Sequence, residues 1–403
     1  MKKSQASLQI CKGKRELDQM DVDQAPTVHF EEGIILNILS RLSVRSLHQY
    51  KCVSKLWNTL ISDPYFKMMH FKHAKNNRNS QRFLITHLCR NERRFDSYYC
   101  SISLVQMVED ALKLDCPLGS KPLLRVMCSC DGFVVAIVSA DMMDKHPIHL
   151  LWNPSIRESI VLPAPQSETC GYTRYGFGYD STSGDYKILR ICSNEYTETL
   201  ALKGGSWRKI DEHPRGVSSE LAYTSYLAFV HEAFHWIGSL IDFTSQYVYI
   251  WTRMDSLKKF SLVSFSISKE VYGEIPLPEQ ILSLVDIKYL GVIVLDGMLS
   301  VYSVTSDQHQ DLQTLKLWVL KDYDVKESWT ALFTVEDPSV YRVVPKYRFA
   351  DGELLFRCFH KPSRGNVFRT SVGPFMSWLP PSIQDIVVFT ESFISPKSLV
   401  SYV

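Results

Sequence analysis

From about residue 82 onward, short apolar runs alternate with Gly, Pro, Asp and Ser, and two elements keep returning. One is an Asp-Gly turn leading into an alternating strand, at Asp131-Gly132, Asp296-Gly297 and Asp351-Gly352. Asp-Gly supplies the positive-φ positions that a tight hairpin demands. The other is strand, polar turn, strand, often closed by proline: LLWNPSIRESIVLPAP from Leu150, ALKGGSWRKIDEHP from Ala201, SFSISKEVYGEIPLP from Ser264 and LWVLKDYDVKESWTALF from Leu317. Trp207 and Trp329 hold equivalent places in two of these copies. Four-stranded units of roughly 40 to 50 residues cannot bury their faces singly, so they close into a ring. A β-propeller of roughly six or seven blades is therefore expected, preceded by a small helical domain.

That helical domain is written in Phe30 to Phe66. Ile34, Ile35, Ile38, Leu39 and Leu42 recur at helical spacing, and Ser43 is placed to cap a second helix carrying Leu47, Tyr50 and Val53. Trp57, Leu60 and Ile61 form a third. Asp63-Pro64 then stops that run and opens another, with Asp as N-cap and Pro at the first helical position. So much apolar surface on so few residues implies a partner.

Composition narrows the partner class. The 403 residues are 45% hydrophobic and 22% charged with a net charge of +2, which gives no electrostatic case for nucleic acid or membrane. Apolar runs fall short of the ~20 residues of a membrane helix, and the first residues lack a signal-peptide core, so the cytoplasm and/or nucleus is the expected location. Ten cysteines without any C-x-x-C pair predict neither a zinc ribbon nor a thioredoxin-type site but reduced, mostly buried thiols. Residues 1–28 read as a disordered leader, 29–75 as the helical domain, 76–95 as a basic linker and 96–395 as the propeller.

The sharpest catalytic hint is His231-Glu232-Ala233-Phe234-His235, which fits H-E-x-x-H. On a helix, the two histidines would share a face and bind zinc while Glu232 acted as base, which is the alternative reading of a propeller-type metal-dependent hydrolase. Phe229-Val230 and Trp236-Ile237 read instead as strand, on which His231 and His235 stand roughly 13 Å apart. No metal, cofactor or catalytic residue is then expected. His146 and His149 lack a third ligand, and Gly171 to Gly178 lacks the Lys-Ser/Thr of a phosphate loop.

Two stretches resemble known families. Ile38-Leu39-Ser40-Arg41-Leu42, Val44-Arg45-Ser46-Leu47 and Lys51-Cys52-Val53-Ser54-Lys55-Leu56-Trp57-Asn58, followed by Leu60-Ile61-Ser62-Asp63-Pro64, resemble the plant F-box. The match departs at Phe30-Glu31, where the family opens with Leu-Pro, and at Ser43, where a proline commonly stands. Trp152-Asn153-Pro154-Ser155, Tyr175-Gly176-Phe177-Gly178-Tyr179-Asp180, Trp207-Arg208, His235-Trp236-Ile237-Gly238, Glu327-Ser328-Trp329 and Phe389-Thr390-Glu391-Ser392-Phe393 resemble, in order, the F-box-associated domain, a relative of kelch propellers. The resemblance implies a non-catalytic substrate receptor of a Skp-cullin-F-box ubiquitin ligase. Its F-box would dock a Skp-type adaptor, and through it cullin and RING subunits, while the propeller holds a protein target. The residues it implies for the adaptor face, or the core just beneath, are Phe30, Leu39, Val44, Leu47, Cys52, Val53, Trp57 and Leu60. For the target, the least turn-like connections bring Tyr172, Arg215, Tyr223, Tyr247, Trp251 and Arg253, of types that anchor interfaces.

Overall fold

The computed structural model describes residues 32–89, 94–102, 112–119, 123–140, 144, 146–167, 173–192, 196–210, 226–239, 260–284, 287–307, 312–337, 343–360, 364–370 and 383–401. Among the described residues, four helices precede the strands: α1 (Glu32–Leu39), α2 (Val44–Tyr50), α3 (Lys55–Ser62) and α4 (Pro64–Lys75). Their starts are set locally. Ser43 Oγ accepts from the Ser46 N–H at 3.1 Å and Ser54 Oγ from the Trp57 N–H at 3.1 Å. Asp63 accepts from the Tyr65 and Phe66 N–H groups, with Pro64 in the first turn. Ser43 thus caps α2 through its side chain.

Among the described residues, six antiparallel sheets follow, five of four strands and one of three. Blade one holds β1 (Gln81–Cys89), β2 (Arg94–Ser101) and β3 (Leu112–Leu114). Blade two holds β4 (Leu123–Cys130), β5 (Phe133–Ser139), β6 (Ile148–Asn153) and β7 (Glu158–Val161); blade three holds β8 (Thr173–Asp180), β9 (Asp185–Cys192), β10 (Tyr196–Ala201) and β11 (Ser206–Ile210). Blade four is β12 (Ala228–Val230), β13 (Ala233–Ser239), β14 (Phe260–Ser266) and β15 (Tyr272–Ile275). Blade five is β16 (Ile287–Leu295), β17 (Met298–Asp307), β18 (Leu312–Leu320) and β19 (Trp329–Asp337), and blade six is β20 (Val343–Arg348), β21 (Leu354–His360) and β22 (Arg364–Arg369). The last strand, β23 (Ile383–Thr390), returns to pair with β1, from Gln81 opposite Thr390 to His87 opposite Ile383. The chain's two ends therefore close one blade and with it the ring.

Six buried clusters, one for each pair of neighbouring blades, hold the ring together. Strand alternation decides which side chain serves which interface. On β1, Phe83 and Ile85 face blade six while Leu84 faces blade two. On β9, Ile188 faces blade two and Leu189 faces blade four. With both faces covered, a strand such as β5, FVVAIVS, is apolar at nearly every position and buried throughout. Gly176 and Gly178 on β8 make room for blade four: a Cβ at either would lie 2.5 Å from the Phe234 ring or 2.4 Å from the Phe229 ring.

Trp207 and Trp329 are equivalent in space as well as in sequence. Trp207 Nε1 donates to Pro163 O at 2.8 Å and Trp329 Nε1 to Pro276 O at 3.0 Å. Each indole thus ties its blade to the proline that follows the outer strand of the blade before it.

Asp131-Gly132 and Asp296-Gly297 form two-residue turns with both φ values positive, 50° and 84° in the first and 52° and 77° in the second. These turns join first to second strands and lie on one face of the ring, which is where the helices sit: Lys75 pairs with Asp131 at 2.8 Å and Arg78 with Asp296 at 2.8 Å. The expected basic linker over residues 76–95 is corrected accordingly. Only Asn76–Ser80 connects the modules, because β1 already begins at Gln81 and its pairing with β23 needs the residues that follow. A Cβ on Gly132 would stand 2.7 Å from Ser392 Cβ and 2.8 Å from Thr390 O. Gly132→Ala is therefore expected to destabilise the chain by about 2 kcal/mol or more in chemical denaturation, combining left-handed strain with the clash.

Candidate docking face

The helices share one small core. Leu39, Val44, Leu47, Ile61 and Phe66 are buried together with Phe393, with Ile35, Leu36, Leu42, Trp57, Met69 and Ile156 packed around them. Leu60 is buried too. Of the two places expected for them, Leu39, Val44, Leu47 and Leu60 take the core beneath the face. Cys52 and Val53 are exposed, and Trp57 is half-buried against Tyr50 with ring centroids 5.4 Å apart. Phe30 lies outside the described residues, as do Tyr172, Arg215, Tyr223, Tyr247, Trp251 and Arg253 and the leader.

The exposed positions of the helices include large apolar side chains among polar ones. Ile34, Ile38, Val53 and Leu56 are 48%, 55%, 63% and 55% exposed, and Tyr50, Tyr65 and Met68 are exposed as well. Seven of the thirteen exposed large apolar side chains among the described residues thus fall between Ile34 and Met68, a concentration that marks an interaction surface. In the sequence, Ile34 and Ile38 stand within one broad apolar stripe and Leu56 only within the F-box match. The usable signal was the width of that stripe: α1 carries more apolar positions than a single core-facing side requires.

Below the helices, Glu391 ties the segment after β23 to blade one and the linker. Its carboxylate accepts from Arg82 Nη2 at 2.6 Å and from the Tyr99 hydroxyl, while its own N–H donates to Ser80 O at 2.9 Å. Burial pushes the carboxyl upward, and Arg82 with the Tyr99 hydroxyl pulls it back.

The H-E-x-x-H segment is neither helix nor continuous strand. His231 and Glu232, at φ 51° and 56°, form the two-residue turn between β12 and β13, with Val230 paired to Ala233. His231 stacks on Tyr323 at 4.4 Å, and buried His235 bonds the Tyr323 hydroxyl through Nε2 at 2.7 Å. Both histidines are absorbed in one tyrosine contact, so the hydrolase geometry is not formed. Among the described residues, no three His, Cys, Asp or Glu side chains converge as metal ligands. Cys192, at the end of β9, is disulfide-bonded, against the expectation of reduced thiols throughout.

Buried histidines give the propeller an acid-sensitive interior. Burial lowers His149, hydrogen-bonded to the Tyr175 hydroxyl at 2.8 Å, and His235 to about 4 each. The unfolded chain takes up these protons first, so the stability both supply is complete above about pH 6.5 and is lost as pH falls toward 4. Each is expected to cost about 3 kcal/mol over that window. Denaturation midpoints should be level from pH 8 to 7 and drop below 6.5, and a chain with His149→Asn and His235→Asn should show a shallower drop.

The F-box domain model matches residues 31–69, and the F-box associated beta propeller domain model matches residues 101–361, more than half of the chain. The chain belongs to the F-box-associated β-propeller family. The F-box match covers α1 to the first half of α4, and the propeller match runs from the last residue of β2 to just past β21. Among curated relatives, F-box protein CPR1 of Arabidopsis thaliana is 27% identical over 327 residues, covering 76% of this chain and 72% of that protein. An F-box/kelch-repeat protein of the same plant is 24% identical over 376 residues, covering 90% and 94%. Among solved structures, TolB from Acinetobacter baumannii aligns over 81% of this chain and 73% of its own, at 10% identity and a TM-score of 0.45.

Proposed function

We propose that this F-box protein is the substrate receptor of a Skp-cullin-F-box ubiquitin ligase, working in the cytoplasm and/or nucleus. The observation that carries the reading is the exposed apolar face of Ile34, Ile38, Val53 and Leu56 on a module packed against a propeller. That face takes the adaptor, and the adaptor brings cullin and RING subunits. Catalysis belongs to those partners; the receptor raises the effective concentration of a target's lysines near a charged ubiquitin.

Topology supports a place for the target. In these antiparallel blades, first-to-second turns lie beside the F-box, while second-to-third and blade-to-blade connections leave from the opposite face. The strand ends that bracket Tyr172, Arg215, Tyr223, Tyr247, Trp251 and Arg253 all open on that opposite face: the start of β8, the start of β12, and the junction of β13 and β14. Adaptor and target thereby occupy opposite ends of one rigid body. The test is co-purification of the full chain with a Skp-type adaptor, target identification by mass spectrometry, and reconstituted ubiquitination of that target. A chain that assembles with no adaptor refutes the reading.

A further inference from the structure

The F-box core is incomplete without the far end of the chain. Phe393 is 3% exposed and lies between α2 and α4, with the His48 ring 5.2 Å from it, the His70 ring 5.4 Å away and Lys51 Nζ 5.7 Å above it. Helices of 8, 7, 8 and 12 residues are too short to persist alone, so their order depends on this packing.

The segment carrying Phe393 is itself held by the ring. Asn153 Nδ2 donates to Ser392 O at 3.0 Å and to Ile394 O at 2.9 Å, and Ser395 bonds Glu158. Immediately before it, β23 pairs with β1 to close blade one. Phe393 stands three residues beyond β23, so the docked strand sets where its ring lies.

We infer that residues 390–395 are a working part of the adaptor-docking module, so that ring closure is a condition of adaptor binding. A receptor whose propeller is open or incomplete would present a loosened F-box and stay out of the ligase. This rests on the adaptor-docking reading above, and the experiment separates the two.

Phe393→Ala and the milder Phe393→Leu are made in the full chain, with hydrogen exchange read on the free protein and adaptor affinity read by titration. Phe393→Ala should lower protection of α2 and α4 at least tenfold and weaken adaptor binding at least tenfold, with blades three to five protected as in the wild type. Phe393→Leu should restore most of both, and it carries the comparison with a smaller fold-change if the alanine variant does not fold. Helices that keep wild-type protection in both variants overturn the inference, as does lost protection with unchanged affinity. A wild-type chain that ignores the adaptor overturns the docking reading and the adaptor half of the inference with it, while exchange on the free chain still reports the coupling of helices to ring.

Discussion

A chain carrying Val53→Asp and Leu56→Asp is expected to bind a Skp-type adaptor at least about 100-fold more weakly than the wild type while unfolding at the same denaturant concentration. Both side chains are more than half exposed, so their loss opens no cavity. Leu56 is the second residue of α3, where an added carboxylate favours the helix and leaves the Ser54 cap in place. On docking, however, the same two positions would bring charge into an apolar contact. Leu47→Ala behaves differently: Leu47 is fully buried, and its truncation should cost about 2–5 kcal/mol and weaken binding by loosening the module. Titration alone would score the two variants alike, and denaturation separates them. Wild-type affinity in the double Asp variant would move the docking face elsewhere.

What was legible in the sequence is what short-range chemistry decides. Ser43 and Asp63-Pro64 mark helix starts because a cap needs partners only two or three residues away. Asp131-Gly132 and Asp296-Gly297 mark hairpins because positive φ is a property of the turn itself. The ring was legible too, since repeating units that cannot bury themselves must stack. Partner-dependent features were hidden. Lys75, Arg78 and Arg82 look like solvated charges until Asp131 and Asp296 arrive from blades two and five and Glu391 from the segment that follows β23. Leu39, Val44 and Leu47 could not be divided from Ile34, Ile38 and Leu56 because the residue that completes the core, Phe393, lies at the other end of the chain. The histidine motif misled for a related reason: a regular expression carries no φ angle, and His231 and Glu232 both sit in the left-handed region.

The buried ion pair of blade three should show the largest single-site stability effect in the propeller. Glu198 on β10 stands opposite Arg190 on β9, their side chains 0% and 1% exposed and joined at 2.7 Å. Arg190 also donates to Ser167 O at 3.2 Å and lies 5.5 Å from the centre of the Tyr196 ring. Removing either partner strands a charge away from water, so Glu198→Leu and Arg190→Leu are each expected to cost about 3–5 kcal/mol in chemical denaturation. The double substitution removes both desolvation penalties and should recover much of that loss, giving a strongly non-additive cycle. Single variants costing under about 1 kcal/mol, or a double variant equal to the sum of the singles, would show that the pair is not coupled in this way. Functionally, the pair lies near the end of β9 that points away from the F-box, so its loss should disturb the face assigned to the target before it reaches the adaptor. Target capture should therefore fall in the single variants under mild denaturant while adaptor affinity holds, because Phe393 and the blade-two clamp around it do not touch this pair.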